Sequence, residues 1–289
     1  MSMQLYAFDS KGELINARQA AKHIEYQCIE CHHLVRLRGG PHRQRHFYHV
    51  DPPPFCRQHQ KGAAHLQIQS YFFHQLPTGE CQLEYSFSSV GRIADVAWFS
   101  HRIVFEIQCS PITGEEVLAR NRDYQKIGWT VVWILHDSRF NQTRLSSAEL
   151  VLRSSPHFFT NMNDQGMGII YDQFDICHKG FRLEKLPPLP ICIKEIMKKD
   201  VCEGISLPLI QLKERAAHWT YFFAGDLITC FIKNPRDDYW IEAMKMEKSR
   251  RASTQTLKWY QLPCMLWRRW IVGSYLVFFR FLLERMCRF

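Results

Sequence analysis

The sequence lacks any run that predicts a membrane-spanning helix. In its basic C-terminal stretch the longest uncharged apolar segment, Trp270–Phe279, is ten residues long, where a span needs about 20. It also lacks a repeat with a period of about 20–50 residues and any low-complexity segment, which excludes a solenoid. No P-loop and no dinucleotide glycine fingerprint occurs. Ser110 and Thr113 lie near acids, but no histidine follows at a spacing that suggests a triad. The first ten residues, MSMQLYAFDS, lack the basic-then-apolar layout of a signal peptide. Eleven cysteines, an odd number and mostly scattered singly, do not read as a secreted disulfide framework. The expectation is a protein of a reducing, cytoplasmic compartment. Charged residues at 22% and apolar residues at 46% exclude wholesale disorder.

What the chain does have is unevenly placed. Its net charge is +9, and the last 46 residues, from Met244 to Phe289, carry ten Lys or Arg against two Glu. Such a segment attracts phosphate backbones or anionic membranes. Within it Arg268 and Arg269 are candidate nucleic-acid contacts, and the charges of Arg268–Arg288 cluster on one side of a helical wheel. That pattern fits a docked amphipathic helix or one lying on a membrane surface. Nine of the 14 histidines fall between His23 and His74. With 289 residues, about two domains are expected. The divisions read from composition are 1–60, 61–140 and 141–289.

Secondary structure is clearest in the middle. Gly62–Leu76 reads as a helix, and Gln82–Phe87, Arg92–Phe99 and Ile103–Cys109 read as short strands. Thr113-x-x-Glu116 has capping-box spacing before a helix over Gly114–Lys126. Trp129–Leu135 then reads as a buried strand parallel to the preceding one. Leu186-Pro-Pro-Leu-Pro190 looks like a linker, followed by mostly helical patterns.

The hairpin around Ser100-His101 carries the chemistry. A two-residue loop there sets Asp95 opposite Glu106, and strand alternation puts Gln108 and Ser110 on the face of Glu106. Ala94, Val96, Trp98, Ile103, Phe105 and Ile107 make the other face apolar. Opposed carboxylates repel, and a divalent cation turns that repulsion into a binding site. Glu84 joins the row if the preceding turn centres on Ser89-Val90. A three-residue bulged loop would instead turn it to the other face. Acids on a solvated sheet face are the plain alternative.

Near the start, Cys28-x2-Cys31 followed by His46-x2-His49 has the logic of a zinc ribbon or finger. His32, His33, His42, Cys56 and His59 are nearby substitutes for the imidazole ligands. Leu34–Arg45 is basic and suits a β-hairpin. Its arginines, Arg36, Arg38, Arg43 and Arg45, either meet nucleic acid or form a solvated face.

Arg92-Ile-Ala-Asp95-Val96, Phe105-Glu106-Ile-Gln108-Cys-Ser110, Arg120-x3-Tyr124 and Trp133-Ile134 together resemble the core of the competence protein CoiA-like family. The Cys-x2-Cys before a His-Phe-x-His agrees with it. The resemblance implies an α/β fold: a restriction-endonuclease-like PD-(D/E)xK nuclease core in the order αβββαβ, after a small zinc-ribbon-like module and before a mostly helical C-terminal region. It implies Asp95 and Glu106 as ligands of Mg²⁺ or Mn²⁺, Gln108 in the place usually held by lysine, and Glu84 as an auxiliary acid. Arg120 and Tyr124 would stand near the site or the DNA backbone, or simply pack the helix. The implied substrate is incoming single-stranded DNA in natural transformation, with recombination or DNA-processing proteins as partners. A non-catalytic, zinc-containing nucleic-acid-binding protein is the alternative. Two departures stand out. Gln108 is uncharged, and of the family's Glu-Ser-x-x-His-x3-Lys the first helix keeps His65 but has Lys61-Gly62 for Glu-Ser and Gln69 for Lys.

Overall fold

The computed structural model describes residues 3–40, 43–54, 56, 58 and 61–251. The chain divides into two compact units, Met1–Asp237 and Asp238–Phe289. The described part of the second is one helix over 238–251. Arg268, Arg269 and the proposed amphipathic helix lie outside the described residues.

The first unit begins with five antiparallel strands: β1 (Tyr6–Phe8), β2 (Leu14–Asn16), β3 (Glu25–Cys28), β4 (Leu34–Gly40) and β5 (Arg43–His49). They are ordered β2-β1-β3-β4-β5. Ala7, Tyr26, Cys28, Val35, Phe47 and Cys56 fill a small core of their own. The β4–β5 hairpin passes through Gly39, at φ +148°, where any Cβ would meet the Arg45 backbone at 2.6 Å. Only glycine fits that approach.

Next come helix α1 (Ala63–Gln75), strands β6 (Cys81–Phe87), β7 (Arg92–Trp98) and β8 (Ile103–Gln108), helix α2 (Gly114–Lys126) and strand β9 (Thr130–His136). The order αβββαβ is thus present, and β9 runs parallel to β8. α2 starts where Thr113 Oγ1 accepts the Glu116 N–H at 3.2 Å. Gly128, at φ +76°, lets the chain turn into β9.

Residues 141–237 depart from the mostly helical expectation. Beside α3 (Ser147–Leu152), strands β10 (His157–Thr160) and β11 (Ile170–Asp172) extend the central sheet. The hairpin β12 (Asp175–His178) and β13 (Phe181–Lys185) follows, then β14 (Leu189–Pro190), β15 (Cys192–Lys198), α4 (Ile210–His218), β16 (Tyr221–Ala224) and α5 (Leu227–Lys233). Runs such as HFFT are too short for periodicity to separate strand from helix. The proline-rich stretch is not a linker: Leu189 and Pro190 pair with Asp172 and Tyr171 as the last strand of the sheet. Proline lacks an N–H, so an edge is where a sheet tolerates it.

The central sheet is ordered β14-β11-β10-β9-β8-β7-β6, and every residue of β8 is buried. Alternate β8 side chains meet different layers. Phe105 packs on Phe72 of α1, with ring centres 4.5 Å apart, and on Phe223 of β16 at 6.0 Å. Val104 joins Val117 and Tyr124 of α2, with Trp133 and Leu135 of β9. Each such large side chain contributes about 1.5–3 kcal/mol by burial. The acid-bearing face of β8 is therefore covered by α2, which rules out the alternative of acids on a solvated face.

Behind β16, the fully buried Asp226 caps α5, accepting N–H groups of Thr229 and Phe223 at 2.8 Å each. Burial, with the charge of Asp172 added, pushes its carboxyl up to about 7. The folded state then keeps a proton that the unfolded chain releases above its ordinary value of about 4. Stability from this group is full below that value and lost as pH rises through 7. D226N should therefore gain on the wild type by about 2–4 kcal/mol between pH 4 and pH 8, read from denaturant melts. A constant difference across that range would contradict this.

Candidate active site and metal cluster

The β7–β8 ladder pairs Trp98 with Ile103, Ala97 with Val104 and Val96 with Phe105, and stops there. The expected register holds, but Asp95 and Glu106 do not form its next rung. The strands part at this point, and Asp95 Oδ2 accepts the Ile107 N–H at 2.8 Å in place of a ladder bond. Asp95 is engaged from α1, where His65 Nε2 donates to Oδ1 at 3.0 Å and Gln69 Nε2 lies 3.4 Å from it. Glu106 is engaged from α2, by Tyr124 OH at 2.7 Å and Arg120 Nη1 at 2.5 Å. The carboxylates are thus gripped by different helices, and both border a cavity of about 540 Å³ at the strand fork. Lys61, His65, Gln108, Arg120 and Tyr124 also line it.

Electrostatics bind the wall together. Burial opposes ionisation of Asp95, yet His65 and Lys61 hold its carboxyl far below the usual carboxylate range. Burial raises Glu106, Arg120 pulls it back, and the charge of Asp95 adds to the rise. Lys61 Nζ lies 2.9 Å from Asp95 Oδ1 and 3.0 Å from Glu84 Oε1. Although burial disfavours its charge, these two acids keep Lys61 protonated. Arg120 also reaches Glu116 at 3.0 Å, and Arg92 ties Glu116 to Asp123 at 2.9 Å each.

Two expected members of the acid row behave differently. Glu84 does pair in the register that sets it beside Asp95, since Leu83 faces Val96 and Tyr85 faces Ala94. Its backbone is left-handed at φ +50°, however, and its carboxylate turns to the N-terminal sheet. There it accepts the Leu5 and Tyr6 N–H groups at 3.2 and 3.1 Å. Glu84 is not on the cavity wall. Gln108 is, but its amide N–H groups go to Ser110, to the carbonyl at 2.6 Å and the hydroxyl at 3.1 Å.

The donor set fits a hard divalent cation. Each carboxylate oxygen can accept twice. Asp95 Oδ2 and both Glu106 oxygens have one protein donor apiece. Around the fork the three acids Asp95, Glu84 and Glu106 face Lys61, Arg120 and the imidazole of His65. Asp95 and Glu106 are the residues that would hold such an ion, since Glu84 faces away.

A second cluster gathers Cys28, Cys31, His49 and Cys56, whose ligand atoms lie within 4.8 Å of one another. The Cys28 and Cys56 sulfurs are 3.8 Å apart, and His49 Nε2 is 3.3 Å from Cys31 Sγ and 3.5 Å from Cys56 Sγ. A tetrahedral zinc with bonds of about 2.3 Å to sulfur and 2.0–2.1 Å to nitrogen requires about 3.8 and 3.5 Å. The Glu30 N–H points at Cys28 Sγ at 3.4 Å, a supporting contact for a ligating thiolate. No other group of three or more His, Cys, Asp or Glu among the described residues converges in this way.

His46 is not in the cluster; its Nδ1 lies 2.8 Å from the Gln44 carbonyl. Both histidines sit on β5, and residues three apart on a strand point to opposite sides. Cys56 takes the fourth place. It follows Asp51-Pro-Pro-Pro54, where its N–H bonds the Pro53 carbonyl at 3.0 Å.

Residues 57–182 match the family model of the competence protein CoiA, nuclease-like domain. This segment is similar to that nuclease-like domain. The matched segment contains α1, the strand fork, α2 and the central sheet from β6 to β11, so every cavity residue named above belongs to it. All four residues of the cysteine cluster precede the CoiA match. No curated protein and no solved structure matches the chain.

Lys61 is the member of the CoiA-like site that the sequence reading passed over. It stood out only as a replacement for an expected glutamate. Nothing in its local spacing shows that it reaches two acids on other elements.

Proposed function

We propose that the CoiA-like domain is a metal-dependent phosphodiesterase acting on DNA, with a restriction-endonuclease-like core. One observation carries this reading: two carboxylates from neighbouring strands, 6% and 1% exposed, border an open cavity together with fixed cations. Burying acids is costly and adds little to stability, so such a group beside a cavity points to chemistry. Mg²⁺ or Mn²⁺, held by Asp95 and Glu106, would acidify a water and neutralise phosphate oxygens. Arg120 fixes Glu106 and presents positive charge to the phosphodiester. Tyr124 orients the same carboxylate, and Gln108 offers its amide oxygen to water. In hydrolysis the water gives a proton to solvent and its oxygen forms a bond to phosphorus, the bond to the leaving sugar oxygen breaks, and that oxygen is protonated from solvent.

The cysteine cluster is read as a structural zinc site formed by Cys28, Cys31, His49 and Cys56. Single-stranded DNA taken up in natural transformation is the proposed substrate, in the cytoplasm, alongside recombination or DNA-processing proteins. No described helix is long and apolar enough to cross a membrane. Phosphate contacts make binding salt-sensitive.

The test is cleavage of labelled single-stranded DNA with Mg²⁺ or Mn²⁺ and with EDTA. EDTA-sensitive cleavage is expected, reduced about 100-fold or more in Asp95→Ala and Glu106→Ala, with DNA binding retained. A second reading, a non-catalytic DNA-binding domain, draws on the fact that Asp95 Oδ1 already holds Lys61 and His65. Binding by the parent with no EDTA-sensitive cleavage would decide for it.

A further inference from the structure

We propose that Lys61 is a catalytic residue of this site, supplying from before α1 the positive charge that Gln108 lacks. The proposal rests on the phosphodiesterase reading above and assigns one further group to the same cavity.

The placement of Lys61 is built rather than incidental. Its side chain is 9% exposed, and it lines the cavity with Asp95 and Glu106. Its backbone is pinned from the N-terminal part of the chain: the carbonyl accepts the Met3 N–H at 3.0 Å. Gln58, three residues earlier, donates its N–H to Glu30 at 3.1 Å, and Glu30 sits inside the Cys28–Cys31 knuckle. The backbone that carries the ammonium is therefore held by the Met3 N–H, and Gln58 just before it by Glu30.

An ammonium has three N–H donors. Two point at Asp95 Oδ1 and Glu84 Oε1. The third remains for the cavity, beside the carboxylate proposed to hold the metal. With two N–H groups on carboxylates, Lys61 acts as a donor and not as a base. It donates a hydrogen bond to a non-bridging phosphate oxygen, where negative charge grows during attack. No proton changes hands, so the step needs no further reactant. Prepositioned donors of this kind act on the rate more than on binding. Arg92 differs, because it is spent on Glu116 and Asp123.

The experiment compares the parent with K61M in the full chain. Cleavage of single-stranded DNA is measured at saturating DNA and Mg²⁺, DNA affinity by anisotropy in EDTA, and Mn²⁺ affinity by electron paramagnetic resonance. The expected result is a fall in turnover of about 10²–10³-fold, with DNA affinity within about threefold and Mn²⁺ binding unweakened or tighter. A merely structural lysine would instead weaken all three together. A folded K61M that cleaves within about threefold of the parent overturns the proposal. If K61M does not fold, the same comparison is made between E84Q and E84Q/K61M, where Glu84 no longer needs a cation. Loss in the double variant alone supports the proposal, and equal cleavage overturns it. A parent without metal-dependent cleavage sinks the phosphodiesterase reading itself, which an active parent with an active K61M does not.

Discussion

Cys56→Ser should strip the protein of zinc and lower its melting temperature by about 10 °C or more, whereas His46→Ala should leave about one zinc per chain. Zinc content by elemental analysis and thermal melts of the two variants provide the check. The large effect follows from how little else holds the N-terminal strands. Their core is a handful of side chains, and two of these, Cys28 and Cys56, are cluster members. Burial pushes the Cys28 thiol up to about 11 and raises the Cys56 thiol too, so without a cation these two are packed as neutral thiols. Structural zinc contributes its binding energy directly to folding, commonly about 10 kcal/mol or more in small modules. The loss should spread, because the strand-β1 region holds Glu84 through the Leu5 and Tyr6 N–H groups. Zinc retained by Cys56→Ser and lost by His46→Ala would show that the four ligands are wrongly assigned.

The second large effect is expected at Arg120. Arg120→Met should destabilise the domain by about 3–5 kcal/mol, because it strands Glu106 as a buried charge. Glu106 is 2% exposed at its side chain and Arg120 16%, so solvent screens the pair little. Adding Glu106→Gln should recover most of that loss, since the partner no longer needs a cation while Tyr124 can still donate to the amide oxygen. Neither variant should support cleavage. Denaturant melts of both single variants and the double variant measure the coupling. If the two losses simply add, Arg120 does not hold Glu106.

How much of this was legible in the sequence depended on whether the signal was local. The register of the β7–β8 hairpin followed from loop length and alternation, that of β6–β7 is one of the two that its loop left open, and α2 spans Gly114–Lys126 as its start and stop residues indicate. Asp95 and Glu106 were found because they flank one short turn. What failed were inferences that assumed regularity. Ladder pairing stops before Asp95, and a left-handed Glu84 turns its carboxylate away, neither of which alternation can foresee. His-x2-His suits a helical turn, yet His46 and His49 lie on a strand and diverge. Cys56 and Lys61 carry no spacing signal, since tertiary folding brings Cys28 and Cys31 to the one, and Glu84 and Asp95 to the other, from more than 20 residues away. The strands after residue 141 were missed because short apolar runs between prolines have no measurable period.

The most direct measurement is anomalous scattering from crystals grown or soaked with Mn²⁺. The account predicts a peak in the cavity at the fork of β7 and β8, in contact with Asp95 and Glu106 and absent from Asp95→Ala crystals. No peak at millimolar Mn²⁺, or one that touches neither carboxylate, would contradict it.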